Sequence, residues 1–189
     1  GVNLNALAYG KLKDDPQFKT LVDGLGNASP GKSKAEEFSF WINVYNVLAV
    51  KVVADHYPVK SIKDLGGYFS GVFKKEYIPL TNLFGKAVSL NEIEHETLRK
   101  NFKEPRIHFA LVCASKSCPP LRPEAYRGKD LNAQLDDQAR VFLGDASKNR
   151  FDATTKTLHL SKIFDWFGAD FEKDGGSVPA FVGRYLQVP

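Results

Sequence analysis

The residues best suited to chemistry lie between Ile107 and Leu121, where His108 precedes the chain's two cysteines, Cys113 and Cys118, across a stretch of small side chains that includes Ala114, Ser115 and Ser117. A thiolate is the reactive form of cysteine, and a nearby imidazole can take up the thiol proton. Pro119 keeps Cys118 out of the helical region, so that residue is expected extended in a loop. Phe109 to Val112 is continuously apolar and reads as a central strand covered on both faces, with His108 as its strong polar group. A plainer reading stands beside this one. A histidine in a buried strand is commonly a satisfied core residue, and Cys113, which shares strand parity with Ile107, Phe109 and Leu111, is expected to be an inert buried thiol.

Glu94 is the acid least explained as surface decoration. Ser89-Leu90-Asn91-Glu92 is a capping-box signature that opens a helix running to about Lys100. With about 100° per residue from Leu90, Glu94 falls near 40°, inside the arc of Ile93 and Leu98. Glu92, Glu96, Arg99 and Lys100 fall on the solvent side, and His95 lies at the margin. A carboxylate on an apolar face requires a partner, so Glu94 is expected to align His108 or His95, to act as acid or base, or to sit in a structural ion pair.

Two amides accompany these groups. Ser33-Lys34-Ala35-Glu36 is a second capping box, and the segment after it is apolar nearly all round until Pro58, which predicts a long central helix over Ser33 to Tyr57. Asn43 and Asn46 lie three apart within it, on the same side. They are expected either to fasten neighbouring loop backbone or to orient the imidazole or a substrate carbonyl.

The remaining elements frame this centre. Residues 1–32 read as an arm and loop, with an amphipathic piece around Phe18 to Val22, and 33–189 as one globular domain. Val72 to Leu80 and Gly85 to Ser89 suggest a strand pair turning near Thr81-Asn82. Asp130-Leu131 opens a helix ending at Gly144, and Phe151 to Leu160 reads as a hairpin in which His159 is exposed. Ser161 to Phe167 is dense in aromatics, which signals core or a cover over a cleft. The fold class expected is α+β, a single domain with the central helix packed on a mainly antiparallel sheet.

With 189 residues, 43% hydrophobic and 25% charged, the chain can bury a core without disulfides or metals. A net charge of +4 is carried by scattered lysines, so no nucleic-acid partner is expected. No run approaches the roughly 20 apolar residues of a membrane helix. No phosphate-binding glycine loop, cofactor motif or zinc-type spacing of His56, His95, His108 and His159 is present, so no cofactor and no metal are expected. The chain holds no methionine and begins Gly1-Val2-Asn3, which reads as a trimmed start. Together with a paired cysteine count, it suggests an exported protein that has lost a signal segment, with a domain cut from a longer cytoplasmic chain as the alternative.

Several segments together resemble the domain-of-unknown-function 547 family, DUF547. They are Phe40-Trp41-Ile42-Asn43-Val44-Tyr45-Asn46, Ser89 to His95, Arg106-Ile107-His108-Phe109-Ala110-Leu111, Ser117-Cys118-Pro119-Pro120-Leu121 and Leu160-Ser161-Lys162-Ile163-Phe164. The likeness runs from about Phe38 to Phe171. It implies that Asn43, Asn46, Glu94, His95, His108, Cys113 and Cys118 occupy family motif positions. It also implies a domain that can accompany glutaredoxin-type or leucine-zipper segments, with exported bacterial members, which adds weight to thiol chemistry. Val112 stands where an asparagine often precedes the first cysteine, and Glu96 where a glycine often follows the Glu-His pair.

Two functions are therefore expected in competition. One is a thiol-dependent enzyme of the hydrolase or acyl-transfer type acting on a peptide, amide or small thiol substrate. In it Cys118 attacks, His108 accepts the proton, Glu94 orients the imidazole, and Asn43, Asn46, His95, Cys113, Ser115 and Ser117 support. The other is a redox or ligand-binding module in which Cys113 and Cys118 form a disulfide, which four intervening residues permit.

Overall fold

The computed structural model describes residues 7–59, 65, 71–74 and 88–186. Its backbone is the helix Lys34–Asp55, opened by the expected capping box: Ser33 accepts from the Glu36 N–H, and the Glu36 carboxylate takes the Ser33 N–H at 2.9 Å. Trp41, Ile42, Tyr45, Leu48 and Val52 are all buried along it, as its lack of a polar face requires. The arm contributes helix Pro16–Gly24, capped by Asp15.

The second capping box, Ser89 with Glu92, starts a helix that is α-helical over Leu90–Glu92, widens to a π-helix over Ile93–Arg99 and closes as α-helix over Lys100–Phe102. The expectation of a uniform α-helix is thus corrected in its middle. Lys103 ends it in the left-handed region at φ 53°.

The predicted buried strand at Phe109 to Val112 is also corrected. Ile107–Ala110 is a single helical turn, and the chain becomes extended only from Leu111, at ψ 131°. An apolar run of four residues fits either a strand or a buried turn, and Pro105 two residues upstream favours the turn by fixing φ at its start.

Farther on, helix Leu131–Leu143 and the antiparallel pair Arg150–Asp152 with Thr157–His159 appear where the sequence placed them, with Phe151 opposite Leu158. His159 is half-buried rather than exposed. Short helices Ile163–Trp166, Gly168–Gly175 and Val178–Val182 complete the described chain. The fold is α+β with helices dominant, and among the described residues its sheet is this one hairpin. The strand pair expected across Val72 to Ser89 falls largely outside the described residues, although Gly71–Lys74, overlapping its start, is a 3-10 turn.

Two apolar clusters form the core. One surrounds the central helix and takes in Ile107 and Ala110. The other gathers Phe109, Phe142, Phe164, Phe171 and Phe181. The turn Ile107–Ala110 therefore sits at their junction, and His108 is carried between them.

Candidate functional site

Side-chain amides hold the loop that carries the cysteines. Asn46 donates to the Ala110 carbonyl at 2.9 Å and accepts from the Val112 N–H at 3.0 Å, which satisfies the backbone on either side of Leu111. Asn43, one turn earlier, grips Tyr126 in the same two-handed way at 2.8 and 2.9 Å. Of the two roles expected of these asparagines, fastening loop backbone is the one they perform. Gln134 holds Ala125 and Arg127, Gln138 holds the Pro120 carbonyl, and Ser161 holds the Ser117 carbonyl at 2.7 Å. The glutamines escaped the sequence reading, although their spacing of four on the apolar side of helix Leu131–Leu143 was a signal like that of the asparagines.

Within this clamp Cys113 and Cys118 stand at disulfide-bonding distance, with Cα atoms 6.2 Å apart. Both are buried. Ala114 between them has φ 54°, a left-handed value that costs an L-residue about 1 kcal/mol and turns the chain back on itself. Ser115 shapes the turn: its carbonyl accepts from the Cys118 N–H and its hydroxyl from the Ser117 N–H. The Ser117 and Cys118 amides are thereby engaged within the loop.

Cys113, Cys118, His108, Glu94 and Tyr45 all line one small cavity, walled by Trp166 and Phe167. Its space is about 10 Å³, the room that one water molecule needs. The sequence-predicted trio of Cys118, His108 and Glu94 is thus brought together. Asn46 acts one step behind it, through Ala110 and Val112, while Asn43, His95, Ser115 and Ser117 stand outside the cavity wall.

Glu94 is buried as expected, and the Tyr45 hydroxyl donates to it at 3.2 Å. The acid bonded to His108 is Asp170, with Nε2 2.9 Å from Oδ2. Asp170 also takes a two-pronged grip from Arg99, Nε at 2.7 Å and Nη2 at 3.0 Å. Desolvation raises the Asp170 carboxyl, but the hydrogen bonds from His108 and Arg99 outweigh it and hold the group well below the usual carboxylate range. An ionised carboxylate only accepts, so Nε2 of His108 carries the hydrogen and Nδ1 keeps its lone pair. Burial lowers the His108 pKa against the opposing pull of Asp170, and the ring stacks on Phe167 at 4.0 Å. The result is a neutral imidazole of fixed tautomer.

His95 supports this arrangement from outside. Its Nδ1 lies 2.6 Å from Arg99 Nη1, and because a guanidinium only donates, that nitrogen accepts. Burial, then the charge of Arg99, lowers the His95 pKa. Arg99, which the helical wheel put on the solvent side, turns inward because the π-helix rotates the end of its segment. Asp170 was missed because nothing in the sequence sets it apart from Asp165, Glu172 and Asp174 around it.

Among the described residues no group of three or more His, Cys, Asp or Glu side chains is placed to hold a metal, and no helix is long and apolar enough to cross a membrane. A buried Cys113–Cys118 disulfide, a neutral imidazole fixed by Asp170 and a second buried acid, Glu94, make up the centre.

The family model described as "Protein of unknown function, DUF547" matches residues 31–143, and the chain belongs to this family. The match takes in the central helix, the π-helix and the whole cysteine loop, but stops short of Asp170. No curated protein and no solved structure matches the chain.

Proposed function

We propose that the chain is a thiol-dependent enzyme of the hydrolase or acyl-transfer type, active when Cys113 and Cys118 are reduced. The observation that carries this reading is that Cys118 and His108 line one cavity while the Asp170 bond to Nε2 selects the tautomer that leaves Nδ1 unprotonated. Two equivalents of a small thiol first open the disulfide through a mixed disulfide and leave joined as their own disulfide, giving two cysteine thiols. Cys118 then passes its proton to His108 and attacks the carbonyl carbon of a peptide, amide or thioester. His108 returns that proton to the departing amine or thiol, and water cleaves the acyl-cysteine to regenerate the thiol. Glu94, held by Tyr45, lines the same cavity as the imidazole.

The test is alkylation of the reduced protein by iodoacetamide across pH, read at each cysteine by peptide mass spectrometry. Cys118 is expected to react well below the ordinary thiol pKa of about 8.5, and His108→Gln to abolish that advantage. Reaction of Cys118 at the rate of an ordinary thiol, or no change in the His108 variant, overturns the proposal.

A second reading is a redox or ligand-binding module in an exported protein, favoured by the bonding distance and burial of the pair. Equilibration against glutathione separates the two. A potential below about −300 mV marks a bond that cellular thiols do not open, and an accessible potential keeps the enzyme reading.

A further inference from the structure

Behind the His108 centre, on the far side of the Arg99–Asp170 ion pair, lies an open cleft of about 540 Å³. That volume is within the range of small-molecule sites. Pro105 and Ile107 lie buried beneath it, so its apolar surface comes from the aliphatic stems of the long side chains around it. Its rim carries Lys100, Lys103 and Lys173 beside Arg99, against Glu104, Asp170 and Asp174.

The balance of charge is set by what each group already holds. Glu104 is occupied by Arg106 at 2.7 Å, Asp170 by Arg99, and Asp174 by Arg184. Lys100 faces Glu96 in an exposed pair. Lys103 and Lys173 have no ion-pair partner among the described residues. The three acids are thus neutralised by guanidiniums, and two ammonium groups remain to act on whatever enters.

Lys103 adds an independent observation. It occupies the left-handed position that ends a helix, at φ 53°, where glycine is the usual residue. Backbone strain is borne there by a lysine that lines the cleft.

We infer that this cleft binds a small organic anion, a carboxylate or phosphate head on an apolar body, with Lys103 and Lys173 holding the head and the aliphatic stems of the side chains around them receiving the body. An ammonium group attracts either head as a point charge, so the two chemistries share one site. The site stands apart from Cys118, and its occupancy requires no thiol chemistry.

Calorimetric titration tests it with three probes that share a phenyl ring: 3-phenylpropionate, phenyl phosphate and 2-phenylethanol. Saturable binding of one or both anions, with none for the neutral alcohol, is expected, and the better anion identifies the head. Lys103→Gln with Lys173→Gln should weaken that binding at least tenfold, and the charge-reversed Lys103→Glu with Lys173→Glu more so. Both lysines are exposed, and an unchanged thermal midpoint in the glutamine variant confirms that the fold is intact. Cys118→Ala should bind as the unaltered protein does, which separates this site from the thiol reading. Saturation by neither anion, equal binding of the alcohol, or full binding by the folded glutamine variant overturns the inference.

Discussion

His108 and Asp170, 62 residues apart in the chain, meet at 2.9 Å, and this one contact fixes which nitrogen of the imidazole can accept a proton. Replacing Asp170 by asparagine keeps the shape but removes the charge, leaving Arg99 without its carboxylate. The side chains of the pair are 27% and 21% exposed, so the cost falls below that of a fully buried pair, at about 2 kcal/mol. Urea unfolding of Asp170→Asn measures it. In the same variant Cys118 alkylation should lose its low-pH component, since the tautomer is no longer enforced.

Acid should weaken the fold in two separate windows. Burial puts the folded His108 pKa below its unfolded value, so its contribution is complete above about 6.5 and is lost as pH falls below it, where only the unfolded chain takes up the proton. The folded Asp170 pKa is also depressed, so its contribution is complete above the unfolded carboxylate value of about 4 and is lost as pH falls from there towards the folded one. Urea midpoints from pH 8 to pH 2 should show both losses, with His108→Gln removing the upper and Asp170→Asn the lower.

Asn46 satisfies two backbone groups that have no access to water, so Asn46→Ala should cost about 3 kcal/mol. Asn43→Ala, at a half-buried position, should cost less. Chemical denaturation ranks them, and an equal cost would mean that the Ala110 to Val112 backbone finds substitute partners.

Opening the disulfide should lower stability by about 2 kcal/mol, the chain-entropy value for so short a loop. Urea curves with and without dithiothreitol give the difference. A Cys113→Ala variant should match the reduced protein and show no further response to reductant.

Ser89→Ala should cost about 1 kcal/mol by removing the cap from the helix that carries Glu94. Because Glu94 is also held by Tyr45, thiol reactivity should change little, and a large loss of it would tie the cap to the site.

Local signals carried well from sequence to structure, and distant ones did not. Ser33 with Glu36 and Ser89 with Glu92 declare helix starts within four residues, and both starts are present. Asn43, Asn46 and Glu94 declare themselves as polar groups on apolar faces, and all three are engaged inside the molecule. The turn at Ile107–Ala110 was misread as strand because four apolar residues contain too little periodicity to choose between the two. Asp170 was beyond reach because its role exists only once helix Gly168–Gly175 is laid against His108, a packing event that no neighbouring residue announces. Arg99 was misplaced by a related failure, since a wheel drawn at α-helical pitch cannot anticipate a wider winding.

That wider winding over Ile93–Arg99 bears on how the chain tolerates changes in length. A π segment amounts to one residue more than an α-helix would place in the same span. Deleting a single residue there would let the helix rewind to ordinary pitch while its ends stayed in register with the rest of the chain. The deletion would swing Glu94 and Arg99 by different amounts, separating the acid of the cavity from the guanidinium that steadies Asp170. The hairpin turn between Asp152 and Thr157 is exposed and lines no part of the cavity, so a change of length there leaves Glu94 and Arg99 in place. Insertions and deletions among relatives are therefore expected in that turn and excluded from this segment, an imprint on the lineage of a helix built one residue over length.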